Sequence, residues 1–338
     1  MADCLKVREA TFEGLADRWE RLLRACREAT VFLTPTWQRV WWEQFGGGAD
    51  LRLLEVTRES AHAGQAAGRA VTVAVAPLMS LDGVVSFLGG TDLVDYHDLI
   101  VGDADPVRVA DAALRRVASW EDWHTLDLKS IPGDSPNLKA LLEAARGLNW
   151  RAEDRVEDLA PGITLPASFD EYVASLDKKD RHELRRKLRR LHATGEITQE
   201  ALASPADIGA AFDDFIALVR LSSPEKDLFL TAPRVEFVRS ATVALAERDQ
   251  ARLFLMRLDG KRVAGSLCFK YGERYFGYNS GYDPASRALA VGLLNHAMCL
   301  ERVIEGGAHY FDFMRGDEPY KYDLGAKDRE IHHVVIRR

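Results

Sequence analysis

Apolar positions along the chain switch between a helical and an alternating rhythm, and the switches mark out the elements. A short apolar stretch at Leu5 and Val7 precedes a helical stripe of Leu15, Trp19, Leu22 and Leu23. A second helix starts at Thr34-Pro35, where Thr can cap and Pro suits the first turn. It carries Trp37, Trp41 and Phe45 before Gly46-Gly47-Gly48 stops it. Three strand-like runs follow, LRLLEV (51–56), AVTVAVAPL (70–78) and GVVSFLG (83–89), the last two turned at Asp82-Gly83. Then come a helix over VRVADAALRRVASW, a strand at HTLDL, a helix over SPNLKALLEAARG capped by Ser135, and a strand from Trp150 to Val156.

The second half starts the sequence of elements again. Residues 163–165 read as a strand, and Ser168 with Glu171 forms a capping box for a short helix bearing Phe169, Tyr172, Val173 and Leu176. Asp177 opens a helix that ends near Gly195. Two more helices, around 206–221 and 232–247, lead into the strands ARLFLMRL, KRVAGSLCFKYG and ERYFGYNSGYD. A helix through LLNHAMCLERVIEGG, the strand HYFDF and a last strand IHHVVI complete the chain. Local echoes join the halves: Gly90-Thr91-Asp92 answers Gly281-Tyr282-Asp283, and His124 to Leu128 (HTLDL) answers His309 to Phe313 (HYFDF). An internal duplication follows as the expectation, with domains at 1–160 and 161–338 and the boundary near Pro161-Gly162.

Composition narrows the class. At 338 residues the chain is too long for one comfortable core, so two domains are expected. Hydrophobic and charged fractions of 47% and 29% are those of a globular protein, and a net charge of -7 argues against general binding to DNA or a membrane surface. Cys4, Cys26, Cys268 and Cys299 are far apart with no paired spacing, which fits free thiols better than a disulfide scaffold or zinc site. No signal pattern and no run long enough to span a membrane is visible, so the expectation is a cytoplasmic protein. No metal is expected, because no His, Asp or Glu grouping has ligand spacing, and His332-His333, adjacent on a strand, point to opposite faces. The oligomeric state is left open.

Candidate chemistry gathers at four places. The helix 177–193 holds eight basic residues against three acidic ones, with Leu184, Leu188 and Leu191 as its buried stripe. Its basic face is either solvated or a collar for an anionic ligand. The junction SGYDPASRALAVGLLNHA (280–297) brings small residues and Arg287 to a helix start, where a phosphate can sit among free N–H groups. In FDFMRGDEPYK (311–321), four ionisable groups crowd the end of an apolar strand. They are either a solvated turn or groups aimed into a cleft from a rigid strand end. The tetrad Asp95-Tyr96-His97-Asp98 is either a turn or, through His97 or Asp98, a contributor across an interdomain cleft.

With these residues in view the chain resembles a known family. The meander followed by a small-residue loop and helix resembles the acyl-CoA site of the GNAT acyltransferases. GYDP, FDFMRGDEPYK with Gly325-Ala326, and in the first half TPTWQRVWW, VAPL, FLGG and DYHD resemble CelD-type, cellulose-biosynthesis-associated GNAT proteins. These are similar in turn to Fem-type aminoacyltransferases. The resemblance implies an α/β fold of two tandem GNAT-like domains, each a mixed, mostly antiparallel sheet flanked by helices. It implies that Tyr278, Asn279, Ser280, Arg287, Ala288, Val291 and Gly292 hold an acyl-CoA, whose pantetheine arm enters where ERYFGYNS splays from HYFDF. Glu318, Asp317, His97 and Asp98 would be the catalytic candidates, with Glu318 expected as the base that takes the amine's proton and Asp317 structural, and Arg315, Tyr320, Lys321, Tyr96 and Arg185 would meet the acceptor. The usual Q/RxxGxG/A loop is incomplete here: in R-A-L-A-V-G the only glycine comes five residues after Arg287.

The implied function is transfer of an acyl group, acetyl in the first instance, from acyl-CoA to an amine on an amino sugar or cell-envelope (exopolysaccharide) precursor. Two alternatives stay open: Fem-like use of aminoacyl-tRNA, with the basic helix on the RNA, and a non-catalytic binding or assembly protein that has lost the donor loop.

Overall fold

The computed structural model describes residues 5–26, 29–59, 70–90 and 92–338, so the expectations on Cys4 and Thr91 lie outside the described residues. The chain divides into two compact units, Met1–Asp158 with Glu330–Arg338, and Leu159–Arg329.

The first unit runs β1 (Leu5–Ala10), α1 (Phe12–Ala25), α2 (Pro35–Phe45), β2 (Asp50–Glu59), β3 (Ala70–Leu81), β4 (Val84–Phe87), β5 (Ile100–Val101), α3 (Pro106–Ala118), β6 (Thr125–Pro132), α4 (Pro136–Gly147) and β7 (Arg151–Leu159). The helix starts follow local chemistry: Thr11, Thr34, Asp105 and Ser135 each accept a hydrogen bond from a first-turn N–H. Pro occupies the first turn of α2, α3 and α4, where its missing N–H leaves no bond unmade.

The second unit runs β8 (Gly162–Thr164), α5 (Phe169–Ser175), α6 (Lys178–His192), β9 (Ile197–Leu202), α7 (Pro205–Ser222), α8 (Pro224–Phe229), α9 (Ala232–Ala246), β10 (Ala251–Leu258), β11 (Lys261–Tyr271) and β12 (Arg274–Tyr282). A 3₁₀ turn at Pro284–Leu289 leads into α10 (Val291–Glu305), β13 (Tyr310–Asp312) and α11 (Pro319–Asp323). Its sheet has the order β8-β13-β12-β11-β10-β9. All neighbours are antiparallel except β12 and β13, which α10 connects as a parallel crossover.

The last strand departs from the expected division. β14 (Glu330–Arg337) belongs to the first unit's sheet, whose order is β1-β2-β3-β4-β6-β14-β7 with β5 on β3. It pairs with β6 from Ile331↔Pro132 to Arg337↔Thr125 and buries Ile331, Val334 and Ile336 completely. Apolar alternation named the strand but not its partner, because either sheet would accept the same buried face.

The echo between the halves has a structural counterpart. β4 pairs in parallel with β6 from Val84↔Thr125 to Ser86↔Asp127, and β12 pairs in parallel with β13 from Arg274↔Tyr310 to Phe276↔Asp312. HTLDL and HYFDF thus occupy the same place in two sheets, and each parallel ladder stops at the Asp.

Candidate active site

β12 runs six residues beyond its last pairing with β13 at Phe276, because β13 itself ends at Asp312 and the ladder stops there. This is the place where the splay is expected. On its other edge β12 stays paired with β11 through Tyr282, with one irregularity: Leu267 faces Asn279 and Cys268 faces Gly277, which makes Tyr278 an extra, bulged residue. A bulge re-aims backbone groups, and this one sits just beyond the end of that ladder.

Past β12 the chain turns over the 3₁₀ segment, which Asp283 starts by accepting from Ala285 N–H at 2.9 Å while Lys261 pairs with its other oxygen at 2.7 Å. Ala290 then takes a left-handed conformation, φ +56 and ψ 35, and α10 begins without a side-chain cap. This Ala stands where the RxxGxG pattern has its first glycine, and it adopts the backbone that glycine prefers. The loop's course survives the substitution. Arg190 of α6 donates to the Ala288 carbonyl and ties the basic helix to this loop.

A pocket of about 330 Å³ opens here. Ala290, Val291, Gly292 and Leu293 of the α10 start line it, with Arg287, Ser280 and Tyr282 on one side, Ser222, Ser223 and Lys226 on another, and His296 and Tyr320. Among the described residues no carboxylate lines it, and the uncapped first turn of a 15-residue helix adds partial positive charge. An anionic group with an apolar body fits such walls.

His296 and Lys226 also line the pocket, and sequence reading did not single them out. His296 is only 6% exposed, its ring stacks on Tyr320 at 5.0 Å, and its Nδ1 makes no hydrogen bond. Burial first, then the charges of Lys226 and Lys321, pull this imidazole down to about 4, so it is neutral at physiological pH. Burial pushes the Tyr320 phenol above its ordinary value, which keeps it a donor. Burial likewise lowers the Lys226 ammonium, whose Nζ donates to the Ser280 carbonyl at 2.6 Å. A lone His in an apolar helix reads as core, and Lys226 lies 54 positions from the carbonyl it meets, so neither carried a local signal.

Of the expected donor residues, Ser280, Arg287, Val291 and Gly292 line the pocket. Tyr278 is the bulge, its ring against Phe269 at 5.1 Å, and Asn279 Oδ1 accepts from Ser280 N–H at 2.8 Å. Ala288 contributes its carbonyl to Arg190.

The turn RGDEPYK is built differently from the expectation. Met314 and Gly316 both have positive φ, 64 and 105, and fold the chain back on itself. Lys321, 1% exposed, fills the fold: its Nζ donates to the carbonyls of Met314 (2.9 Å), Arg315 (2.8 Å) and Gly316 (2.9 Å) and pairs with Glu318 at 2.8 Å. An ammonium has three N–H donors, so Lys321 has none left for an acceptor substrate. Burial tends to raise the Glu318 carboxyl, but hydrogen bonding and charge from Lys321 outweigh it and hold the group below its ordinary value. The Glu318 carboxylate is thus engaged by Lys321 and is not among the residues that line the pocket. Asp317 is exposed and lies off the pocket wall, and Arg315 is half-buried within the turn; of the expected acceptor residues in this unit only Tyr320 lines the pocket. Arg185 is exposed on α6, away from the pocket wall.

The DYHD residues lie in the first unit. Asp98 is buried and accepts from Ser135 Oγ (2.5 Å), Asn137 Nδ2 (2.9 Å) and Leu99 N–H (2.7 Å), anchoring the start of α4. Tyr96 is fully buried beside Phe32, and His97 stacks on Phe87 at 5.8 Å beside a small pocket shared with Asp127 and Lys129. These are interior positions with structural partners. Among the described residues no group of His, Cys, Asp and Glu could hold a metal ion, no helix is long and apolar enough to cross a membrane, and Cys26, Cys268 and Cys299 are free thiols.

Comparison with known proteins accords with this geometry. A family model described as an acetyltransferase (GNAT) domain matches residues 178–322, which contain the β12–β13 ladder, the loop and the pocket. No curated protein matches the sequence. Among solved structures, FemX is similar at 13% identity and a TM-score of 0.65, with 97% of this chain and 96% of that chain covered. A conserved protein of unknown function from Bacteroides thetaiotaomicron VPI-5482 is similar at 12% identity and 0.60, covering 99% and 100%. A tandem GNAT protein from the clavulanic acid biosynthesis pathway is similar at 13% and 0.51, covering 98% of each. At these identities the likeness is one of fold: two tandem GNAT-like domains, the second carrying the matched acetyltransferase domain.

Proposed function

We propose that the second unit moves an acyl group, acetyl in the simplest case, from an acyl-CoA thioester to an amine by direct attack in a ternary complex. The observation that carries this reading is the end of the β12–β13 ladder after Phe276, where a cation-lined pocket meets the uncapped start of α10. Arg287 and the first-turn N–H groups of α10 suit the pyrophosphate. The edge of β12 beyond Phe276 suits the amide-bearing arm, and backbone N–H groups near the Tyr278 bulge suit the oxygen that gains charge as the amine adds. When the C–S bond breaks, the Tyr320 phenol supplies the proton that the departing thiolate takes, and His296 Nδ1 accepts the proton the amine loses. Glu318, expected as the base, holds Lys321 and with it the turn. The acceptor we propose is an amine on a sugar or cell-envelope precursor, on the CelD-type resemblance of RGDEPYK.

Calorimetry with acetyl-CoA, longer acyl-CoAs and free coenzyme A tests the reading, and absence of binding by all of them refutes it. With binding established, His296→Gln should lower kcat by a factor of about 10² or more, as loss of a proton acceptor does. Glu318→Gln and Asp317→Asn should stay within about tenfold of wild type. One observation favours aminoacyl-tRNA as donor instead: the basic helix α6 reaches the donor loop through Arg190. Activity that falls steeply with salt would support that second reading.

A further inference from the structure

β12 ends in an open edge that the protein has closed with its own side chains. Beyond Phe276 no strand among the described residues pairs with this edge, yet both backbone groups of Ser280 are engaged: the N–H donates to Asn279 Oδ1 at 2.8 Å and the carbonyl accepts from Lys226 Nζ at 2.6 Å. A side-chain amide and an ammonium thus stand where a neighbouring strand would supply a carbonyl and an N–H. An extended, amide-bearing chain docks on a sheet edge through that same pair of backbone groups. Lys226 and Ser280 both line the pocket, so the closure lies in the path of whatever enters it.

We propose that Asn279 and Lys226 form a displaceable cap on the β12 edge, which the amide-bearing arm of the donor must lift from Ser280 in order to bind, so that these two residues set the affinity for the arm. The inference rests on the acyl-CoA reading. Lys226 comes from α8, a separate element, so its release leaves the pairing of β12 with β11 intact. The Asn279 side chain holds its neighbour's N–H through Oδ1 and can turn away by side-chain rotation. Exchange of one hydrogen bond for another has a small net effect, whereas a bond that must be given up without replacement weakens binding.

The test compares coenzyme A with 3′-phospho-ADP, which is coenzyme A without the arm, by calorimetry on the full chain. Lys226→Met keeps the apolar stem, and Asn279→Ala removes the other half of the cap. Each should tighten coenzyme A by about fivefold, the size of one net hydrogen bond, and leave 3′-phospho-ADP unchanged. Asn279→Ala should also speed hydrogen exchange at the Ser280 amide in the unliganded protein. Weaker binding of both ligands by Lys226→Met would mean that Lys226 holds the phosphates, and would overturn the cap. Wild-type binding of coenzyme A with no change in either variant would overturn it too, with the acyl-CoA reading left standing. Failure of wild type and variants alike to bind coenzyme A would remove that reading and the cap together.

Discussion

His296 and Lys321 show at the residue scale how burial reverses what a side chain offers. On a surface His is half-charged near neutrality and Lys is a free donor. Here the imidazole is stripped of its proton and the ammonium is consumed by three carbonyls. The depressed imidazole also makes stability depend on pH. Its folded value of about 4 lies below the ordinary 6.5, so the unfolded chain binds the proton more readily. The contribution is whole above about pH 6.5 and is lost as pH falls toward 4, amounting to about 3 kcal/mol at the lower end. Denaturant midpoints between pH 7 and 4.5 should therefore fall less in His296→Gln than in wild type, and an equal fall in both would show that the imidazole is not held neutral by the fold.

At the scale of elements, close approach of α7 to β12 fixes the site strand. A Cβ at Gly281 would lie 2.3 Å from the Val219 Cα and 2.4 Å from its backbone nitrogen, so a helix backbone rests directly on the strand. Backbone cannot rotate aside as a flexible side chain does. Gly281→Ala should cost about 2 kcal/mol or more, read as a lower denaturant midpoint. At Gly292 the nearest neighbour is the Tyr282 ring at 3.0 Å, a side chain that can yield, so Gly292→Ala makes the milder control. Elements were legible in proportion to their apolar periodicity. The helices with caps and the three-strand meander announced themselves. β9 did not: ITQEAL is an edge strand with Gln199 as its only buried residue, and Gln199 is held by Asn295 of α10 at 2.8 Å rather than by apolar packing.

The whole chain closes on itself through its last nine residues. β14 lies inside the first unit's sheet between β6 and β7, with Ile331, Val334 and Ile336 wholly buried, although it follows the entire second unit in sequence. Removing Glu330–Arg338 should therefore unfold the first unit before the second, because an interior strand carries two ladders and part of the core. Hydrogen exchange on the truncated chain should show lost protection across β4, β6 and β7 and retained protection across β10, β11 and β12. Protection lost first in the second unit would place the strand's contribution elsewhere.

The sequence by itself determined the two-unit plan, the order of nearly all elements and the small-residue loop from Arg287 to Gly292, since each is written in local periodicity, caps and turn residues; the splay beside β12 was implied only by the family resemblance. Which strand β14 would join, which of the polar residues in RGDEPYK would be consumed by the turn, and that His296 and Lys226 would line the pocket were decided only by tertiary structure. The turn depends on the burial of Lys321, and the other outcomes on meetings between residues tens to hundreds of positions apart. No local pattern encodes them, because the free energy of an ionisable side chain is set by what surrounds it after the chain has closed.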